Sequence, residues 1–279
     1  MTLSKRLVAR LDIKGNRLIK GIRFEGLRVI GEPLHYVRQY AESGVDEILF
    51  IDAVASLYGR NSLAQILRES TRSVFIPITA GGGIRSVEDA FELLSAGADK
   101  VAVNSEALKK PDLIKQLAST FGSQCVVSSI QARRVSANKW EAMLDAGRER
   151  SGIDVLEWVD MVQSLGAGEI LLTSVDQDGT CAGPDHNLLE KVSQISRIPL
   201  IFGGGFSTIE DLDSAYSNPS VYGVSVGAAL HKSLLCPRSI KTNCLSSGNC
   251  FRKIGEKIDS SELASCLSSL SIGVIDYGM

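Results

Sequence analysis

The segment Ile78–Leu108 is nearly repeated by Leu200–Leu230, and this repeat limits the possible folds more than any other feature of the chain. Gly81 aligns with Gly203, Glu88 with Glu210 and Leu108 with Leu230, at a constant offset of 122 residues. The same offset carries GVDEIL (44–49) onto GAGEIL (166–171). A period this long exceeds the ~20–50 residues of a solenoid unit. It describes two halves of one domain, each with a glycine triplet in the same relative place. Two equivalent anion sites follow, and with them a ligand carrying two phosphates.

Eight short apolar runs alternate with amphipathic stretches: 6–13, 47–54, 76–83, 100–105, 125–132, 169–176, 198–205 and 222–229. Several of the intervening helical patterns end in glycine, the favoured left-handed cap. Near-continuous apolar strands alternating with helices indicate parallel strands buried on both faces. Eight such units in two similar halves predict an α/β fold, a single (β/α)₈ barrel over residues 1–232, rather than an open doubly wound sheet. Residues 233–257 look like a Cys- and Ser-containing insertion, not a helix. A closing helix is expected within 258–270, with Asp259 as N-cap and Glu262 completing a capping box.

A formal net charge of −2 gives no reason to expect nucleic acid or an anionic membrane as partner. No apolar run approaches the ~18 residues of a membrane span, and the basic start MTLSKRLVARLDIKG lacks the apolar core of a signal peptide. Six cysteines without framework spacing suit a reducing cytoplasm. Cys236, Cys244 and Cys250, with His231, are a conceivable zinc set, but their spacing matches no common knuckle. The reading is of unpaired, solvent-side thiols, with no metal and no cofactor.

Barrel chemistry sits at the C-terminal strand ends. In order these are Asp12, Asp52, Gly81–Gly83, Asn104–Ser105, Gln131, Asp176 with Asp178–Gly179, Gly203–Gly205 and Gly227–Ala228. Glycines after the third and seventh strands let backbone N–H groups approach an anion; they also serve tight strand-to-helix turns. Asp12, taken alone, is equally a strand-end carboxylate capping a loop. At the opposite mouth Arg6, Glu47, Lys100 and Glu169 each open a strand. Two cations and two anions there describe either a closed ion-pair ring or merely solvated strand ends.

Seven motifs give the chain a family resemblance: LDIK (11–14), LIKG (18–21), DEILFIDAVAS (46–56), TAGGGIRS (79–86), ADKVAVNS (98–105), FGSQCVV (121–127) and GAGEILLTSVDQDGT (166–180). Through them the chain resembles the cyclase subunit of imidazole glycerol phosphate synthase over roughly residues 3–230. The resemblance implies a lyase/cyclase of histidine biosynthesis. In that reaction ammonia attacks a ribulosyl substrate with a phosphate at each end, and imidazole glycerol phosphate and an aminoimidazole carboxamide ribotide are formed. It implies one phosphate cradle at Gly82, Gly83, Asn104 and Ser105, and a second at Asp178, Gly179, Gly204, Gly205, Gly227 and Ala228. Lys20, Asp52 and Asp176 would serve the substrate between them.

The family divides proton transfer between two aspartates at the ends of the first and fifth strands. The first is Asp12, but the second position holds Gln131. An amide donates and accepts hydrogen bonds but does not exchange a proton near neutral pH as a carboxyl does. Ordinary cyclase activity is therefore in question, and two functions stand open. One is the cyclase; the other is a non-cyclase barrel that channels ammonia for amidation of a surface-polysaccharide sugar. For both, the resemblance makes Arg6, Glu47, Lys100 and Glu169 the ammonia gate facing a class I glutaminase, as subunit or fused domain. The tail IGVIDYGM (272–279) resembles the first strand and turn of that glutaminase, although eight residues also fit an ordinary exposed tail. The expectation is a cyclase-like module stopped just inside the second module of a fusion.

Overall fold

Each barrel strand separates its side chains by alternation. In β1 (Arg6–Lys14), Leu7, Ala9, Leu11 and Ile13 join the large core beneath the helices, while Val8 turns into the barrel. There it meets Leu49, Ala102, Val127, Leu171 and Ile201 in one apolar layer. Apolar residues on both faces make such a strand stable only when covered twice, which is what a barrel with an outer helical ring provides.

The computed structural model describes residues 4–55, 63–246 and 251. From β1 the chain runs through the hairpin β2 (Arg17–Ile22) and β3 (Glu25–Gly31) to α1 (Pro33–Ser43) and β4 (Glu47–Asp52). Next come α2 (Leu63–Ser70), β5 (Ile78–Gly81), α3 (Val87–Ser95), β6 (Lys100–Val103), α4 (Ser105–Lys109) and α5 (Asp112–Phe121). The second half starts with β7 (Val126–Ser136), which is extended by the antiparallel strands β8 (Lys139–Leu144) and β9 (Glu149–Asp154). It continues through α6 (Val155–Ser164), β10 (Glu169–Ser174), α7 (His186–Ser193) and β11 (Leu200–Gly203). Then follow α8 (Ile209–Tyr216), β12 (Val221–Val226), α9 (Ala228–His231) and α10 (Pro237–Ser246). Parallel pairing runs β1–β4–β5–β6–β7–β10–β11–β12 and returns to β1, so the eight-stranded barrel is closed.

The repeat is legible in local geometry. α3 begins with a capping box of Ser86 and Asp89; α8 begins with one of Thr208 and Asp211, at the same offset along the chain. Each such cap contributes ~1 kcal/mol. Gly82 and Gly204, also equivalent, have φ of 99° and 105°. A side chain at Gly82 would run into the Asp52 carbonyl, and one at Gly204 into that of Ser174, so both turns need glycine.

Two features depart from the expected pattern. The hairpins β2–β3 and β8–β9 lack a clean alternation: β3 and β9 are largely exposed, whereas β8 is buried at every position after Lys139, so periodicity does not reveal them. More importantly, residues 237–246 of the expected insertion form α10, which packs against α8 and α1 and so belongs to the barrel's outer ring. Its Ser, Thr and Asn content hides a buried i, i+4 pair, Ile240 and Cys244, and Pro237 occupies the favoured first position. Lys241 is buried in an ion pair with Asp46, which also accepts from the Leu7 backbone N–H at 2.8 Å. Cys244 is therefore a core thiol, not a solvent-side one. Cys250, the expected closing helix and the tail lie outside the described residues.

Candidate active site

β1 sends Arg10 and Asp12 inward on the same face as Val8, two residues apart each time. The hairpin that follows folds back antiparallel on β1, pairing Asp12 with Ile19 and bringing Lys20 over the mouth. Arg10 Nε donates to Asp12 Oδ1 at 2.8 Å, and Lys20 Nζ donates to Asp12 Oδ2 at 2.7 Å. Lys20 also donates to Asp178 Oδ2 at 2.8 Å, so one ammonium bridges carboxylates from opposite halves of the barrel. All four side chains are buried.

Burial alone pushes the Asp12 carboxyl up, but the Arg10 and Lys20 charges outweigh it and hold it well below the usual carboxylate range. Burial likewise pulls Lys20 and Arg10 down, and Asp12 and Asp178 more than restore them. The cluster thus sets two basic side chains against two acidic ones in direct contact. Asp12 is consequently a fixed anion with both oxygens occupied, poorly disposed to give or take a proton.

Two clefts flank this cluster. The first brings together Asp12, Asp52, Gly82, Gly83, Asn104, Ser105 and Gln131. The second, much tighter, brings together Asp178, Gly179, Gly204, Gly205, Gly227 and Ala228. Arg10 lines both, and Lys20 ties the Asp12 side to the Asp178 side. The short helices α4 and α9 begin beside the respective clefts, and neither has a side-chain cap on its first turn. Asp176 stands apart from both clefts. Its carboxylate accepts from the Arg134 N–H at 2.8 Å and lines a shallow groove with Gln177, Pro184 and His186. Asp52 accepts from the Val54 N–H at 3.1 Å, and Ser105 Oγ accepts from the Asp145 N–H at 2.9 Å. Both help to shape the first cleft.

Gln131 lies midway along β7, level with Thr173 on β10 near the end of the parallel pairing. It is buried, and among the described residues its Oε1 has no hydrogen-bond partner. Asn104 donates from Nδ2 to the Met143 carbonyl at 3.1 Å, yet its Oδ1 is also unpartnered. Two carbonyl-type acceptors, buried with nothing to accept from, face a cleft that a ligand would fill.

Three residues of this mouth escaped the sequence reading: Arg10, Thr173 and Phe24. Arg10 Nη1 donates to Thr173 Oγ1 at 3.2 Å across the barrel, and its guanidinium lies 5.1 Å from the Phe24 ring centroid. The signal for Arg10 was its place two residues before Asp12 in an otherwise apolar strand. Phe24 comes from the hairpin turn, at a φ of 62°, and packs on Met143 and Val175.

At the opposite mouth Arg6 pairs with Glu47 at 2.6 Å and with Glu169. Lys100 pairs with Glu47 at 3.1 Å and Glu169 at 2.9 Å, which closes a four-membered ring. Thr79 Oγ1 donates to Glu47 Oε1 at 2.6 Å and fixes one corner. Between this ring and Arg10 lies the single apolar layer of Val8, Leu49, Ala102, Val127, Leu171 and Ile201.

The family model described as "Histidine biosynthesis protein" matches residues 6–235. A protein of Legionella pneumophila called imidazole glycerol phosphate synthase subunit HisF is 54% identical over 208 residues, covering 75% of this chain and 98% of that protein. Subunits of the same name from Wolinella succinogenes and Bacillus cereus are 47% and 41% identical, covering 77% and 86% of this chain and 85% and 95% of their own lengths.

Proposed function

The chain belongs to the histidine biosynthesis protein family, and from that premise we propose that it is a cyclase-type barrel of imidazole glycerol phosphate synthase. In this reading it holds a ribulosyl-type substrate with two phosphates across its mouth and uses ammonia delivered by a glutaminase. The observation that carries the reading is the pair of repeat-related clefts joined through the Arg10–Asp12–Lys20–Asp178 cluster. One phosphate would seat against Gly82, Gly83, Asn104 and Ser105, the other against Gly179, Gly204, Gly205, Gly227 and Ala228. Ammonia would enter at the ring of Arg6, Glu47, Lys100 and Glu169, cross the apolar layer and meet the substrate beside Asp12. The glutaminase, as a subunit or fused domain, would cover that ring. A cytoplasmic place fits this chemistry; no described helix is long and apolar enough to cross a membrane.

A second reading is favoured by one observation, the combination of Gln131 with a doubly ion-paired Asp12. It makes the barrel an accessory that conducts ammonia towards amidation of a surface-polysaccharide sugar and binds its two-phosphate ligand without turning it over. The relatives' shared name favours the first reading.

The ribulosyl substrate itself, with ammonium withheld, tests the ligand class. A ligand at a hundredfold excess over Kd stabilises the native state by ~2.7 kcal/mol. A clear rise in melting temperature is expected, and none at saturating concentration would defeat both readings of the mouth. Following imidazole product from the ribulosyl substrate and free ammonium then separates them.

A further inference from the structure

Arg10 occupies a place that neither the phosphates nor the ammonia path explains. Arg10 is only 4% exposed, lines both clefts and therefore lies between the two expected phosphates. A guanidinium carries five N–H donors. Asp12 takes the Nε donor and Thr173 one Nη1 donor, so three N–H groups have no protein acceptor among the described residues. In the first cleft Arg10 shares the lining with Gln131, whose buried Oε1 lacks a donor. Donors without acceptors and an acceptor without a donor border the same space.

The charges select among groups that would fit there. Arg10 and Lys20 are already balanced by Asp12 and Asp178. An added anion between the clefts would face two buried carboxylates, and an added cation would face two buried cations. A neutral group that both accepts and donates hydrogen bonds meets neither penalty. We infer that Arg10 and Gln131 form a third anchoring point, which reads a neutral donor–acceptor group, a hydroxyl or carboxamide, between the two phosphates of the ligand. This rests on the two-phosphate reading and deepens it: the phosphates fix the ends, and Arg10 with Gln131 determines which molecule is accepted.

Calorimetric titration with two probes tests the inference. The ribulosyl substrate, with ammonium withheld, carries hydroxyls and a carboxamide between its phosphates; an alkane-diol bisphosphate of the same span has two phosphates on an unsubstituted chain. The wild-type protein is expected to bind the first at least about tenfold more tightly, as hydrogen bonds to a charged donor imply. Arg10→Met and Gln131→Leu should each bring that ratio towards one. Arg10→Lys, which keeps the charge and the pairing with Asp12 but loses the planar fork, should also reduce it and serves if Arg10→Met does not fold. A wild-type ratio near one, or a ratio unchanged in the variants, overturns the inference while leaving the two-phosphate reading intact. So does an equal loss for both probes, which would make Arg10 a general attractor of anions. Failure of both probes to bind the wild-type protein defeats the two-phosphate reading, and the third anchor with it.

Discussion

Arg10 holds Asp12 from within the same strand: Nε donates to Oδ1 at 2.8 Å across two residues of β1, beneath the hairpin that supplies Lys20 to the other oxygen. A carboxylate fixed on both sides is an electrostatic keystone as much as a reagent. Its first consequences are therefore for stability.

Asp12→Asn should destabilise the protein at neutral pH by about 3–5 kcal/mol, because Arg10 loses its buried partner and Lys20 keeps only Asp178. Linkage gives the sign of the pH dependence. The folded carboxyl is held below its ordinary value, so its contribution is present above about pH 4 and declines as pH falls towards the lower folded value. Denaturant unfolding at pH 7 and pH 3 checks this. The variant's deficit should shrink at the lower pH, and an equal deficit at both would mean the ion pairs do not act through charge.

His231 predicts a second acid limb at higher pH. Its Nδ1 lies 2.7 Å from the Tyr40 hydroxyl, and burial foremost, with Lys20 adding to it, pulls the imidazole down from 6.5 to about 4. Between those values the unfolded chain takes up a proton that the folded one refuses. Stability is present above pH 6.5 and lost as pH falls towards 4, by at most about 3 kcal/mol. Replacement by His231→Gln should flatten the stability profile in that window, even if it lowers stability overall. A profile of unchanged slope in the variant would assign the limb elsewhere.

Cys244 gives a chemical probe of the outer ring. Burial, with a smaller effect of Asp213, pushes its thiol up to about 11, whereas Cys125, Cys181 and Cys236 are partly exposed. With iodoacetamide at pH 8, Cys244 should be the slowest of these four in the native protein and should match them once the chain is unfolded. Peptide mapping of the alkylated sites decides the matter; rapid native labelling of Cys244 would show that α10 is not held on α8.

These sites differ in how far the sequence exposes them. The barrel was legible because eight apolar runs and a repeat of 122 residues are long-range patterns that no single side chain can hide. The two clefts were legible because each depends on backbone approach, which only glycine permits at Gly82 and Gly204. Arg10 was not, since its meaning comes from Thr173 and Phe24, residues far along the chain that the fold alone brings to it. α10 was obscured in the same way: its anchor is Lys241 on Asp46, a contact across 195 residues. Asp176 is different again: expected at the substrate from its strand-end position, it accepts from the Arg134 backbone N–H and lines a groove beside the two clefts.

At the ring, Lys100→Ala would leave Glu47 and Glu169 facing each other with Arg6 as their remaining cationic partner in the ring. In a complex with the glutaminase, more glutamine should then be hydrolysed for each ammonia used, while binding of the ribulosyl substrate at the distant mouth stays within about twofold. Stoichiometry of glutamate released to product formed is the measurement. An unchanged ratio would remove the ring from the path of ammonia.

The final prediction concerns Gln131, on which the cyclase and accessory readings divide. Positioned proton transfer contributes about 10²–10⁴-fold, and an amide at this position of β7 cannot supply it. With free ammonium and the ribulosyl substrate, the wild-type barrel should therefore form imidazole product at least about a hundredfold more slowly than a relative with aspartate there. Gln131→Asp should raise the rate if the mouth is otherwise arranged for that reaction, because the new carboxyl would enter a cleft already lined by Asp12 and Asn104. The same substitution in an Asp12→Asn background tests whether the two groups act together: a gain that persists there would place the chemistry on another residue. Fast wild-type turnover would show that Gln131 does not limit the reaction. Rescue by aspartate would identify a retuned cyclase. Silence in both forms, with the ligand still bound tightly, would leave ammonia conduction as the better account of why the ring, the apolar layer and the two clefts are all retained in one barrel.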